Sequence, residues 1–343
     1  MKQQIRTTSH FLFILPAVFF ISSCNPRNPS SSVKDDRGAL SYKLVNNWPP
    51  PEIAVVLSQP SGLGIDSEQN IFVFNRTGRT WNEPFPDSVI SSNTILILDG
   101  NSGKLLKSWG AGIFIMPHGL TVDRNNQVWV TDVGLHQVFK FDHEGKLEMT
   151  LGIAKIPGSD SLHFNRPTDV AVSKDGSIYV SDGYRNSRIV KFSAAGKYLF
   201  SWGSKGSKVG EFNIPHAIDL DSAGNVYVAD RENNRIQVFD SRGKFLKQIQ
   251  DTHFQNLYSL AIEKGNQELF AIDYLSILDI LNKGSDIYTF DTAGNTVLSF
   301  GRTGNYTGPI CRYHDIAVDK YGNIYVCDIL GSTLQKFSRF KNK

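Results

Sequence analysis

One unit recurs along most of this 343-residue chain, and this repetition restricts the possible folds more than any other feature of the sequence. Each clear copy begins with a short apolar segment and a turn rich in Asn, Asp or Gly. An alternating apolar and polar segment follows, then two further segments joined by a turn such as Gly-Lys. The six copies, four clear and two weaker, begin at Ser61, Pro117, Pro167, Pro215, Tyr258 and Tyr313.

The alternation has a period of two residues, which is typical of β-strands, and no long segment has the 3.6-residue period of a helical solenoid. The 29 glycines and 14 prolines supply the many turns of such a chain. Four-stranded units that cannot bury both faces alone are typical of propeller blades. The pattern resembles the NHL repeat, so we predict an all-β fold, a six-bladed β-propeller. We expect its closing blade to combine strands from both ends of the chain.

The first 24 residues have the pattern of an export signal. Basic Lys2 and Arg6 precede an apolar run at 11–21, which Ser-Ser and Cys24 follow. This ending resembles the bacterial lipobox, in which the cysteine is acylated and becomes the mature N-terminus; an ordinary signal peptide with an incidental cysteine is the alternative. We therefore predict a signal peptide at 1–23, lipidated Cys24 with a flexible tether at 24–47, and the propeller at 48–343. The protein is then exported and anchored to a bacterial membrane by lipid alone, on its periplasmic or cell-surface side.

Charge and cysteine content narrow the classes of partner. Removal of Lys2 and Arg6 lowers the formal net charge from +3 to +1, and such a chain has no electrostatic reason to bind nucleic acid. Cys311 and Cys327 remain after Cys24. They either form a disulfide between adjacent antiparallel strands or stay as two buried thiols.

Three of the eight histidines share one position of the repeat. In the six copies, the residue five places before the end of the first strand is Ser61, His118, Thr168, His216, Tyr258 and His314. First strands line the channel of a propeller, and alternate blades lie about 120° apart, so the three imidazoles can face one point on the axis. Three protein ligands with a further coordination position open are typical of catalytic zinc, although neutral imidazole also binds Fe, Cu or Ni. A packing role is the alternative.

Residues that directly follow the second strand lie at the same end of the blade as these histidines. The copies differ there, with Arg76 in the first, Tyr184 in the third and Arg231 in the fourth. We expect these three side chains to converge on the metal.

Several long strings around these positions resemble one enzyme family. They include MPHGL at 116–120, WVTDV at 129–133, RPTDVAV at 166–172, SDGY at 181–184 and ADREN at 229–233. They are similar to the peptidyl-α-hydroxyglycine α-amidating lyase, which cleaves a C-terminal α-hydroxyglycine into a peptide amide and glyoxylate. The similarity runs from about 58 to 337 and is weakest between 250 and 310.

This resemblance implies a role for each matched residue. Its catalytic Zn²⁺ would be held by His118, His216 and His314, with Tyr184 as the catalytic tyrosine and Arg76 and Arg231 as active-site arginines. Its structural Ca²⁺ would match the Asp315 carboxylate with the backbone carbonyls of Leu63 and Leu120, and oxygen ligands suit calcium. Tyr184, acidified by the metal and an arginine, would take the hydroxyl proton.

The chain also departs from the family pattern. Asn165 and Arg185 stand where animal members have one cysteine pair, and Tyr227 and Val238 stand at the other, so we expect a more mobile loop at Tyr184. No monooxygenase domain is present to make the hydroxyglycine. Either a separate monooxygenase supplies this peptide or small-molecule substrate, or the site acts on another carbinolamide or a ureidoglycolate-like compound.

Two other functions compete with the lyase. One is a lipid-anchored propeller that binds a ligand or protein and holds only a structural metal. The other is a calcium-dependent lactonase-like propeller, which is disfavoured because such sites use carboxylate ligands rather than three axial histidines.

Overall fold

A computed structural model describes residues 33–34, 41–277, 281–291, 293–301 and 311–340. The export signal, Cys24 and most of the predicted tether lie outside these residues. None of the helices in the described ranges has the length and apolar character needed to cross a membrane.

The described chain forms six antiparallel blade sheets, one for each copy of the repeat, and one separate two-stranded sheet. Blades 1 to 3 contain the strands Pro60–Ile65, Ile71–Asn75, Ile95–Leu98 and Leu105–Trp109; Pro117–Val122, Val128–Asp132, Gln137–Phe141 and Leu147–Leu151; and Asp169–Val172, Ile178–Asp182, Arg188–Phe192 and Tyr198–Trp202. Blades 4 to 6 contain Pro215–Leu220, Val226–Asp230, Arg235–Phe239 and Phe245–Ile249; Leu257–Ile262, Leu269–Asp273, Asp286–Phe290 and Thr296–Gly301; and Tyr313–Val318, Ile324–Asp328, Thr333–Phe340, Ser41–Leu44 and Val33–Lys34. The predicted six-bladed β-propeller is thus confirmed.

Few residues lie in helices or extra strands. A short α-helix spans Pro51–Ala54, and a 3₁₀ turn spans Arg231–Asn233. A small hairpin of Leu275–Ile277 and Leu281–Gly284 lies between the second and third strands of blade 5.

Blades pack face to face because successive side chains of a strand point in opposite directions. In the second strand of blade 4, Val226 and Val228 join a buried cluster with blade 3. Ala229 joins the cluster shared with blade 5, where partly buried Tyr227 packs against it. The alternating pattern that predicts strands therefore also joins each blade to both neighbours.

The ring closes through both ends of the described chain. Ser41–Leu44 pairs antiparallel with the last strand, with Ser41 opposite Phe340 and Leu44 opposite Phe337. The first strand of blade 6 also contacts the first strand of blade 1. The sheet thus begins earlier than the boundary predicted at residue 48, because the 41–44 segment has neither a glycine turn nor a repeat register to mark it as a strand.

Cys311 and Cys327 are separate buried thiols in this blade rather than a disulfide. Burial raises the pKa of the Cys327 thiol well above its usual value.

Candidate metal centre and active site

The second residues of three first strands meet at the channel axis. His118, His216 and His314 come from blades 2, 4 and 6 and are buried, and their ligand atoms all lie within 4.8 Å of one another. The ring centroids are 4.7 to 5.1 Å apart. The structure therefore brings together the three histidines that the repeat register predicts to share one centre.

Backbone carbonyls orient all three imidazoles. Nδ1 of His118 lies 2.6 Å from the Thr168 carbonyl, Nδ1 of His216 lies 2.6 Å from the Tyr258 carbonyl, and Nδ1 of His314 lies 2.7 Å from the Ser61 carbonyl. A carbonyl only accepts, so each Nδ1 carries the hydrogen and each Nε2 keeps its lone pair. Such an acceptor behind the ring is the usual outer partner of a metal-bound histidine.

The histidines are also kept neutral. Burial lowers the pKa of each well below its ordinary value, and the charge of Arg231 acts in the same direction on all three. Three neutral imidazoles with unprotonated Nε2 atoms fit the donor set of a catalytic zinc site. The donor set alone does not choose zinc over other imidazole-binding metals.

Tyr184 lies over this centre, two residues after the second strand of blade 3. Its hydroxyl is 2.9 Å from Nε2 of His118 and 3.1 Å from Nε2 of His216. One phenol hydrogen cannot satisfy two lone pairs, so the protein groups alone leave an acceptor unmatched here. Burial raises the pKa of Tyr184, while Arg231 and Arg76 lower it without outweighing burial. The acidification expected of Tyr184 is therefore not supplied by the arginines alone.

Arg76 directly follows the second strand of blade 1 and is buried with 2% exposure. Its Nε donates to the Pro117 carbonyl at 2.9 Å, but its buried Nη2 has no hydrogen-bond partner among the described residues. A buried, charged donor without a partner is costly, which makes this position suited to an anionic ligand.

Arg231 begins the 3₁₀ turn after the second strand of blade 4. Its Nε donates to the Glu232 carboxylate at 2.9 Å, and its guanidinium lies 5.0 Å from the Tyr258 ring and 5.6 Å from the Tyr184 ring. Burial lowers the pKa of Arg231, but nearby Tyr184, Tyr258 and Glu232 raise it further, so the group stays charged. The two arginines and Tyr184 thus meet at the histidine centre, as the loop positions predict.

Trp81 also belongs to the site, although no sequence pattern predicts it. Its ring lies 5.0 Å from the Tyr184 ring and 6.5 Å from the His118 ring, and the Arg76 guanidinium lies 5.6 Å from it. Trp81 belongs to the long connection between the second and third strands of blade 1, where the repeat offers no register. The only available signal was an aromatic residue five positions after Arg76.

The residues assigned to calcium lie in the first strands of three consecutive blades, 6, 1 and 2. The Asp315 carboxylate accepts the Leu63 N–H at 2.7 Å and the Ser259 hydroxyl at 2.6 Å. Asp315, Leu63 and Leu120 all line a cavity of about 730 Å³ in the channel. Burial raises the pKa of Asp315. The structure brings these residues to one region, and the calcium ion stays a prediction.

Comparisons with known proteins agree with this architecture. The NHL repeat model matches residues 114–141, 164–192 and 212–239. Among solved structures, a streptogramin B lyase has a TM-score of 0.56 at 14% identity, covering 88% of this chain and 98% of that one. A gluconolactonase of Xanthomonas campestris has a TM-score of 0.58 at 12% identity, covering 92% and 100%. Likeness at such low identity concerns the fold alone.

Curated relatives are much more similar in sequence. Peptidyl-glycine alpha-amidating monooxygenase B of Xenopus laevis is 38% identical over 86% of this chain, which spans only 35% of that protein's length. A probable peptidyl-alpha-hydroxyglycine alpha-amidating lyase of Caenorhabditis elegans is 44% identical over 54% of this chain and 56% of its own length. Peptidyl-alpha-hydroxyglycine alpha-amidating lyase 2 of Drosophila melanogaster is 32% identical over 83% of this chain and 72% of its own length. Identity over most of the length of that lyase shows that the chain belongs to the peptidyl-α-hydroxyglycine α-amidating lyase family.

Proposed function

We propose that this protein is a zinc-dependent lyase that cleaves the C–N bond of a C-terminal α-hydroxyglycine, or of an analogous carbinolamide. The products are an amide and glyoxylate. The observation that carries the proposal is the convergence of three oriented, neutral imidazoles beside a buried arginine that lacks a full set of partners. Names of the relatives support the same reaction class and do not favour the binding-module alternative.

His118, His216 and His314 would hold the zinc ion through Nε2. Bound there, the ion would serve as a Lewis acid that lowers the pKa of the substrate hydroxyl and of the adjacent phenol. At another level of the channel, Asp315 with the carbonyls of Leu63 and Leu120 would hold a structural Ca²⁺.

The protein side chains account for binding and proton movement. Arg76 and Arg231 bind the substrate carboxylate, since a guanidinium matches a carboxylate bidentately. The ionised oxygen of Tyr184 accepts the hydroxyl proton. The electron pair of the broken O–H bond forms the carbonyl of glyoxylate, and the pair of the broken C–N bond moves onto the amide nitrogen. The amide nitrogen then takes the proton back from Tyr184, so the step balances without an oxidant or a covalent nucleophile.

Substrate supply and location follow from the same proposal. The names of the amidating monooxygenase relatives support a related monooxygenase as the source of the hydroxylated peptide. We further propose that lipidated Cys24 holds the enzyme on the periplasmic or cell-surface side of a bacterial membrane. Mass analysis of the mature N-terminus would test the acylation.

Glyoxylate release from α-hydroxyhippurate by the purified full chain tests the reaction. We expect about one zinc ion per chain, loss of activity on chelation, and loss of both zinc and activity in His216→Ala. His253→Ala is the matched control, because its side chain is 82% exposed and pairs only locally with Asp251. Tyr184→Phe should keep zinc and lower kcat by about 100-fold or more. Full activity in chelated protein or in His216→Ala would reject the proposal.

A further inference from the structure

The Glu83 carboxylate links the connection between the second and third strands of blade 1, residues 76–94, to two arginines beside and within blade 3. Glu83 accepts hydrogen bonds from Nη1 and Nη2 of Arg166 at 2.6 and 3.1 Å, which is a bidentate pair. Its Oε2 also accepts from Nη2 of Arg185 at 3.2 Å. The Arg166 guanidinium lies 4.9 Å from the Phe85 ring, so the fastening has an ionic and an aromatic part.

Both arginines belong to the immediate surroundings of Tyr184. Arg185 is the next residue in the chain, and the carbonyl of Arg166 accepts the Tyr184 N–H at 3.4 Å. Arg185 also stands where the missing family cysteine predicts a more mobile loop. In the structure this position is instead tied to Glu83.

The same connection covers the other side of the tyrosine. The Trp81 ring packs 5.0 Å from the Tyr184 ring and 4.9 Å from the Phe85 ring. Tyr184 is therefore held between Trp81 and the histidine centre, with its backbone braced at Arg166. The rate of a catalysed reaction falls when the position of the catalytic hydroxyl relative to the reacting atom varies by even a fraction of an ångström.

We propose that Glu83 is a positioning residue for Tyr184, fastening residues 76–94 to Arg166 and Arg185 so that Trp81 stays against the phenol ring. The catalytic consequence rests on the proposed function, whereas the mechanical consequence does not. Trp81 packs against the Tyr184 ring, and Glu83 holds the connection that carries Trp81. Neither side chain takes part in proton transfer.

Hydrogen exchange of the full chain without substrate tests the mechanical part. Glu83→Gln should speed amide exchange of residues 183–187 by about threefold to fivefold, as expected for losing a partly exposed ion pair. Asp87→Asn is the matched control, because Asp87 lies in the same connection but pairs with Lys155 at 3.0 Å. Unchanged exchange in Glu83→Gln, or an equal increase in both variants, would overturn the proposal.

Kinetics test the positioning role. Glu83→Gln should lower kcat for glyoxylate release by about threefold to fivefold with KM nearly constant, and Glu83→Asp should restore part of it. In a Tyr184→Phe background the same change should have no further effect, because the hydroxyl that it positions is gone. Equal losses in both backgrounds would refute positioning of Tyr184. If the native chain releases no glyoxylate, the proposed function fails, and the exchange result still decides the role of Glu83.

Discussion

Arg76 is expected to destabilise the propeller, and Arg76→Met tests this expectation. The side chain is 2% exposed, and burial lowers the pKa of its guanidinium from 12.5 to about 10. That lowering corresponds to a cost of about 3 kcal/mol for the charged form. Because the pKa in the folded chain lies below that of the unfolded chain, the full cost is present below about pH 10. It disappears only as the pH rises through the unfolded value.

The substitution has opposing effects on the free energy of unfolding. Removing the charge returns the roughly 3 kcal/mol, while the lost hydrogen bond to Pro117 costs about 1 kcal/mol. Losing the Trp81 contact costs about 0.5 to 1 kcal/mol. Met fills irregular apolar space with an unbranched side chain. We therefore expect Arg76→Met to be more stable by about 1 kcal/mol, which corresponds to a rise in Tm of about 2 °C.

Urea unfolding at pH 7 measures this difference, with Arg242→Met as the control because the Arg242 side chain is 82% exposed and pairs with Asp240 at 3.1 Å. Hippurate, which carries the substrate carboxylate, should raise the Tm of the native chain but not that of Arg76→Met. KM for α-hydroxyhippurate should rise by about 100-fold, since charged hydrogen bonds contribute about 1.5 to 3 kcal/mol. A variant less stable than the native chain, or one with native KM, would refute the reasoning.

Two further substitutions, Thr168→Val and Tyr42→Ala, test the propeller ring itself, with Tyr321→Ala as an exposed control. Thr168→Val removes a buried hydroxyl 2.7 Å from the Pro215 carbonyl, so urea unfolding should show a loss of about 1 to 2 kcal/mol in the free energy of unfolding. Activity should persist, because the Thr168 backbone carbonyl still orients His118. Unchanged stability would contradict this expectation. Tyr42→Ala empties a site stacked 5.5 Å from Phe300 in the closing strand and should cost about 3 kcal/mol. Tyr321→Ala, 64% exposed, should stay within about 0.5 kcal/mol, and equal losses would show that the 41–44 strand does not secure the closure.

Repetition explains why so much of the fold can be predicted. The repeat marks the same strand boundaries in several copies, so a boundary that is unclear in one copy can be located by alignment with the others. Ser41–Leu44 falls outside this argument, because it completes blade 6 without any copy of the repeat around it. The prediction that both chain ends share the closing blade is confirmed, but local patterns do not indicate which N-terminal residues pair with the distant strand Thr333–Phe340.

The residues of the site also differ in whether the repeat could predict them. His118, His216 and His314 occupy one register, so their convergence could be predicted from alignment of the copies. Trp81 and Glu83 lie in a connection unique to blade 1, where no other copy fixes a position. Their contacts depend on the path of residues 76–94 over the histidine centre, and the repeat pattern does not predict this path.

The alternation of histidine and non-histidine blades around the ring determines how the three imidazoles are oriented as well as where they lie. The carbonyls that hold the Nδ1 atoms belong to Ser61, Thr168 and Tyr258, which are the residues at the histidine register in blades 1, 3 and 5. Each histidine is thus oriented by the next blade, and blade 1 performs this task for blade 6. The acceptor of the last histidine therefore comes from the first blade, so the complete donor set requires the closed ring.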